Sequence, residues 1–275
     1  MRKRPASSGA RWIAGGWQLL KTRPGLVIGS VLLMYLLVFL TSFVPLIGMG
    51  AGYLIAPILG GGVILIFARI AEILERAEQE PLAREQPIGF DLLFSQFSGQ
   101  APWRPLLGLG GVTILVNLAI LLLLAAFLTA AMPEGGMAAL NDPETTDSER
   151  LSQLLPILTS GSAMGIWLAV IVIYVLYLSA MLFAIQRVVL AQASLTEALV
   201  TSFRAVWINW LPMLIFGLIW LGLFLTIPLT AGLSAILLVP WAWAALYAAY
   251  VSIFPAKDVR ADTGDVRADT DEISG

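Results

Sequence analysis

The sequence predicts an all-α fold: a polytopic membrane bundle of six transmembrane helices with cytoplasmic interfacial amphipathic helices. Three observations carry that expectation. Residues 24–68, 105–133, 151–186 and 205–256 contain no charged side chain. The 275-residue chain is 59% hydrophobic and only 12% charged, whereas soluble domains carry about 25% charged residues. Its cations gather at the edges of the uncharged stretches rather than inside them.

A hydrocarbon core of about 30 Å is crossed by roughly 20 apolar helical residues. The stretch from Pro24 to Ala68 is too long for one crossing, since at 1.5 Å per residue it would reach roughly 68 Å. It must fold back on itself. Pro45, followed by Gly48, Gly50 and Gly52, marks the turn, because proline lacks an amide proton and glycine accepts turn dihedrals. Pro228 to Gly232 breaks the fourth stretch in the same way. Pro45 and Pro228 are thus the expected hairpin breakers. Spans are expected near 25–44, 50–70, 106–131, 162–187, 211–227 and 232–254. They form a membrane domain over 24–256, between an amphipathic cytoplasmic segment at 1–23 and a disordered cytoplasmic tail at 257–275. The charges that intervene before Pro24 make the first span a retained helix rather than a cleaved leader.

Sidedness follows from Lys and Arg. Six basic residues precede the first span, and Arg69, Arg76, Arg84 and Arg104 lie around the connection between the second and third. Arg187 and Arg204 lie between the fourth and fifth, and Lys257, Arg260 and Arg267 follow the sixth. Of the sixteen basic residues only Arg150 lies in the 132–161 loop, among Glu134, Asp142, Glu144, Asp147 and Glu149. An even number of spans with both termini in the cytoplasm satisfies this distribution.

Three segments ahead of odd-numbered spans space apolar and aromatic residues helically. They are Trp12, Gly16, Leu19 and Leu20 with Trp17; Phe90, Leu93, Phe94 and Phe97, ending at Trp103–Arg104–Pro105; and Leu195, Leu199, Phe203, Val206 and Trp210. Each reads as a helix lying in the membrane interface, with Trp12, Trp17, Trp103, Trp207 and Trp210 at headgroup depth. Beyond the second span, Glu72 and Arg76 pair at i, i+4 on a solvated helix extension that Pro81 ends. The tail repeats DVRADT at 258–263 and 265–270, with no apolar face to fold on.

Candidate sites are few. Thr113 and Asn117 lie one turn apart near the middle of the third span, as an interhelical hydrogen-bonding pair or as part of a transport path. Gly52, Ala56 and Gly60, with Gly161 and Gly165, form small-residue faces suited to close helix packing. Pro45 and Pro57 are spaced as Pro228 and Pro240 are; an internal duplication and independent hairpins with similar proline placement both account for this. Arg69 and Arg187, at span ends, are expected to snorkel. With no His and no Cys, imidazole and thiolate catalysis, disulfides and Cys/His metal sites are excluded. No catalytic residue, metal ligand or cofactor is therefore expected. The net charge of −2 and the placement of the cations point away from nucleic acid. The expected partner is membrane lipid, together with a membrane-protein partner or further copies of the chain.

The N-terminal Trp helix, VPLIGMGAGYLIAPILGGG, GFDLLFSQF and SFRAVWINWLPMLIFGLIW with the later LYAAYVSIF resemble a family of uncharacterised bacterial six-span inner-membrane proteins over residues 10–255. The resemblance implies topology and a bacterial cytoplasmic membrane, with no activity attached. A fainter likeness is to the membrane-anchoring region of some glycerophosphodiester phosphodiesterases, whose catalytic domain has no counterpart in this chain. Two functions fit these observations. One is a non-enzymatic membrane component that organises lipid or a partner complex; the other is a carrier or channel for a small neutral or amphipathic solute.

Overall fold

The computed structural model describes residues 1–44, 48–79, 86–98, 102–132, 142 and 144–254. These are helical, with turns and short irregular links between the helices. In chain order they form α1 (Ser8–Thr22), α2 (Pro24–Thr41), α3 (Gly48–Arg76), a 3₁₀ helix (Phe90–Phe97), α4 (Trp103–Ala131), α5 (Asp147–Leu158), α6 (Gly161–Met181), α7 (Ala184–Ala191), α8 (Leu195–Ile208), α9 (Trp210–Phe224), α10 (Thr226–Leu229) and α11 (Ala235–Ile253). Six stretches are long and apolar enough to span a bilayer: Pro24–Thr41, Gly50–Arg76, Trp103–Ala131, Gly161–Ala191, Trp210–Leu229 and Ala235–Ile253. The chain is a multi-pass, all-α membrane protein.

It divides into two compact units, residues 1–111 with 179–275, and residues 112–178. Unit 1 is built on two helical hairpins, α2–α3 and α9–α11. Thr41 meets Gly48 and Gly52 at the turn of the first hairpin, while Trp220 packs edge-on against Trp241 at 5.3 Å in the second. The hairpins share one core, in which Val63, Ile64, Phe67 and Ile70 of α3 are buried with Val27, Val31 and Met34 of α2 and with Ala244, Tyr247 and Tyr250 of α11. The ends of these hairpins at Pro24, Arg76, Trp210 and Ile253 are called the base below. Every Lys and Arg described in unit 1 lies toward the base.

Pro57 and Pro240 lie inside α3 and α11, which run on through them. Pro228 falls in the short α10, where Ala231 (φ 50°) and Gly232 (φ 90°) reverse the chain. The other expected breaker, Pro45, lies outside the described residues, as do Arg84 and the DVRADT repeat. The extension of α3 ends at Arg76, with Glu72 bonded to both Arg69 (2.8 Å) and Arg76.

Unit 2 holds the later part of α4, α5 and most of α6. Leu115, Leu121, Leu122, Met164, Leu168 and Ile171 are all exposed, as lipid-facing side chains of a membrane hairpin are. The helix α5 was not anticipated by hydropathy. Its start is a capping box: the Thr146 hydroxyl accepts the Glu149 N–H (3.4 Å), and the Glu149 carboxylate accepts the Thr146 N–H (2.9 Å).

Candidate functional site

The structure gives the expected polar pair in α4 two partners in α6. The Asn117 amide donates to the Thr113 carbonyl (2.8 Å) and its Oδ1 accepts the Tyr174 hydroxyl (3.1 Å). The Thr113 hydroxyl meets the Tyr177 hydroxyl at 2.9 Å, and the two tyrosine rings stand edge to face, 6.2 Å apart. Four side chains thus form a polar seam across the α4–α6 hairpin, inside unit 2. Such a seam fixes the register of two otherwise featureless apolar helices. Sequence alone could not find Tyr174 and Tyr177, because which residues of α6 oppose Asn117 depends on where the hairpin turns.

The second constellation is the base of unit 1. Three elements, α1, the 3₁₀ helix and α8, clamp the spans there, and glycines set how closely they approach. The strap α1 crosses three helices. Gly9 lies on α9, where a Cβ would stand 2.5 Å from the Pro212 carbonyl oxygen. Gly16 lies on α11, where a Cβ would stand 2.3 Å from the Ala245 nitrogen. Leu19 shares with Ala71 and Leu74 of α3 and Tyr247 of α11 a cleft of about 240 Å³ that also includes Gln18 and Val251. The Trp241 indole donates to the Ile13 carbonyl (2.9 Å) and its ring packs on Trp17 at 5.0 Å. Trp12, only 3% exposed, meets Phe216 edge-on at 6.0 Å.

This corrects one expectation. The apolar face of α1 does not rest in lipid; it is buried against α9, α11 and α3, because Gly9 and Gly16 let its backbone into contact with theirs. The arm before α1 is also tied down. The buried Asn209, between α8 and α9, accepts the Arg4 N–H at 2.8 Å and donates to the Arg2 and Ala205 carbonyls (3.3 and 2.9 Å). Arg4 caps the last turn of α11 by donating to the Ser252 carbonyl (2.7 Å from Nε), where a cation opposes the helix dipole.

The 3₁₀ helix sits against α3 in the same manner. Leu93 is fully buried, and a Cβ on Gly62 would stand 2.2 Å from its carbonyl oxygen. Phe90, Phe94 and Phe97 stay exposed. In α8 the buried face is Ala198, Ser202 and Ala205, continued by Asn209. The larger Leu195, Leu199, Phe203 and Val206, expected to carry the apolar face, flank it half-buried. Small residues win the inner face because they allow α8 to lie against the break between α6 and α7. There the Ser202 hydroxyl donates to the Ser179 carbonyl and accepts the Phe183 N–H, each at 3.0 Å.

Arg187 is the second correction. It does not snorkel: its side chain is 8% exposed, against 54% for its partner Glu197 at 3.2 Å. It also donates to the Thr201 hydroxyl (3.2 Å) and lies 5.1 Å from the centroid of the Phe254 ring. The elbow that brings α8 back onto α7 turns at Gln192, in the left-handed region (φ 51°). The cation therefore joins α7, α8 and the end of α11.

The small-residue faces divide. Gly52 packs on Thr41 and Val38, and Gly60 on Trp243 and Ile185, with half-buried Ala56 between them on α3. Gly161 and Gly165 meet nothing within 4 Å. Among the close approaches to backbone, Gly48 and Gly16 stand at positions the sequence singles out, at a turn and on an amphipathic face, whereas nothing in the spacing of small residues marks Gly9, Gly62 and Gly110. Among the described residues there is no cluster of acidic side chains able to hold a metal ion. No family model, curated protein or solved structure matches this chain.

Proposed function

We propose that this protein is a non-enzymatic component of a bacterial cytoplasmic membrane that organises lipid or a partner complex, with both termini in the cytoplasm. The observation that carries this reading is the base of unit 1. Three elements, α1, the 3₁₀ helix and α8, are held by glycine contacts and hydrogen bonds against the spans, and the last two turn exposed aromatic side chains outward (Phe90, Phe94, Phe97 and Trp207) beside exposed Trp210 at the start of α9. The concentration of cations at the base supports a cytoplasmic placement. The resemblance to six-span bacterial inner-membrane proteins supports the compartment.

A carrier or channel has less to stand on. A broken-helix path would use Pro45, Pro57, Pro228 and Pro240; α3 and α11 continue through Pro57 and Pro240, Pro228 falls in the short α10, and Pro45 lies outside the described residues. Such a path would also use Asn117, whose amide and carbonyl oxygen are engaged by Thr113 and Tyr174.

Extraction in mild detergent tests the proposal. A partner or a defined lipid should co-purify in fixed ratio; a monomer carrying neither overturns it. Sidedness is tested with Thr145→Cys in this cysteine-free chain. A membrane-impermeant maleimide should reach it from outside the cytoplasm only.

A further inference from the structure

We propose that the base of unit 1 is a wedge for one leaflet, which makes the protein favour a convex, loosely packed lipid surface on that side. This rests on the lipid-organising reading above and names the kind of lipid surface involved. Depth is the first observation. Gly62, against which Leu93 lies, is seven residues before Arg69, the first charged residue of α3, or about 10 Å at 1.5 Å per residue. Phe90 reaches Gly29, six residues after Arg23 and about 9 Å along α2. Both place the 3₁₀ helix below the charged rim, at the depth of about 5–10 Å that interfacial helices occupy.

Number and side come next. The strap α1, the 3₁₀ helix and α8 all pack on the base halves of spans: Pro212 and Ala245 for α1, Gly62 for the 3₁₀ helix, and Gly108 for Leu195 of α8. At the opposite ends, the described residues of unit 1 hold only the turn after Thr41 and the α10 turn; in the chain between α4 and α6 the described residues hold one further amphipathic helix, α5. The added cross-section in unit 1 therefore lies in a single leaflet.

The exposed side chains identify what covers the wedge. Trp207, Trp210 and Leu211 continue without a break into Leu214, Leu218 and Leu221 on the lipid face of α9. Phe94, Phe97 and Trp103 are exposed, and Arg104 lies over the Trp103 ring, 5.5 Å from its centroid. An apolar surface continuous with a lipid-facing span and rimmed by cations suits acyl chains beneath phosphate headgroups, not a soluble protein. Inserting such bulk into one leaflet spreads its headgroups, and the strain is smallest where that leaflet is already convex.

The test uses Lys3→Cys, an exposed site at the base, and the fraction labelled by an impermeant maleimide before detergent is added. The full-length protein is reconstituted into phosphatidylethanolamine–phosphatidylglycerol vesicles of about 50 nm and about 400 nm diameter, since interfacial insertion is curvature-sensitive. The base-outward fraction should rise about twofold or more in the small vesicles. Phe90→Ser/Phe94→Ser/Phe97→Ser, which leaves Leu93 in place, should abolish the rise. Should that variant fail to elute as the parent does, Trp207→Ser/Trp210→Ser replaces it. Equal fractions in both vesicle sizes, or a bias that survives the substitutions, overturn the wedge. The co-purification experiment is read separately: a bound lipid or partner without a size bias sinks the wedge alone, and a size bias without either sinks the broader reading alone.

Discussion

A Cβ on Gly62 would stand 2.2 Å from the carbonyl oxygen of Leu93 and 2.6 Å from its Cα. No real side chain tolerates such a contact with backbone, so α3 or the 3₁₀ helix would have to move. Gly62→Ala should therefore destabilise the protein in detergent by about 1–3 kcal/mol, the usual cost of overpacking. Gly161→Ala and Gly165→Ala, in open space, should be near neutral. Thermal size-exclusion profiles of the three variants check the contrast.

Arg187 and Glu197 should behave as a coupled pair. Removing Glu197 leaves a buried guanidinium without its anion; breaking a buried pair costs about 3–5 kcal/mol, and the exposure of Glu197 puts this one lower. Arg187→Met should cost less than Glu197→Ala, because it removes the charge with its partner already half in solvent. A double-mutant cycle read by thermal denaturation should show non-additivity above about 0.5 kcal/mol.

The seam in unit 2 predicts a small effect. Interspan hydrogen bonds average about 0.6 kcal/mol, so Tyr174→Phe should lower stability by about that much. Asn117→Leu with Tyr174→Phe should cost little more than either alone. If Asn117 instead lined a solute path, Asn117→Leu would alter uptake in reconstituted vesicles with stability unchanged.

The strap can be locked. A Cβ on Gly15 would lie 3.1 Å from that of Ala248, close to the roughly 3.5–4.5 Å Cβ separation of disulfides. Gly15→Cys/Ala248→Cys should cross-link on mild oxidation and migrate faster without reductant. A strap lying out in lipid would leave both thiols free.

The cap of α5 carries a pH dependence. Hydrogen bonds from the Thr146 backbone N–H and then from its hydroxyl hold the Glu149 carboxyl below its ordinary value. A depressed carboxyl contributes stability above its unfolded pKa and loses it as pH falls through the folded one. Spin label at Gln153→Cys should therefore stay ordered at neutral pH and become mobile once pH falls below the ordinary carboxylate range, about 4. In Thr146→Ala the label should be mobile at both.

Much of this architecture was legible in the residues. The six stretches long and apolar enough to span and the crowding of cations beside them follow from charge and apolarity, which each residue carries wherever it lies. The site was less so. Arg187 was expected at the surface because it borders a span, but Gln192 turns the chain so that Glu197 and Thr201 close over it. Trp12 was expected among headgroups, but Gly16 lets α1 onto Ala245 and buries it.

By itself, then, the sequence determined that the chain lives in a bilayer, how many stretches are long enough to cross it, and where three of its four amphipathic segments fall. Only the tertiary structure decided which way those segments face: α1 inward, Phe90, Phe94 and Phe97 outward, and α8 on its small residues. The physical reason is that transfer into lipid depends on composition along one strand of chain. Which face is buried depends on how near two backbones come, and that distance is set by glycine, alanine and serine at positions far apart in sequence.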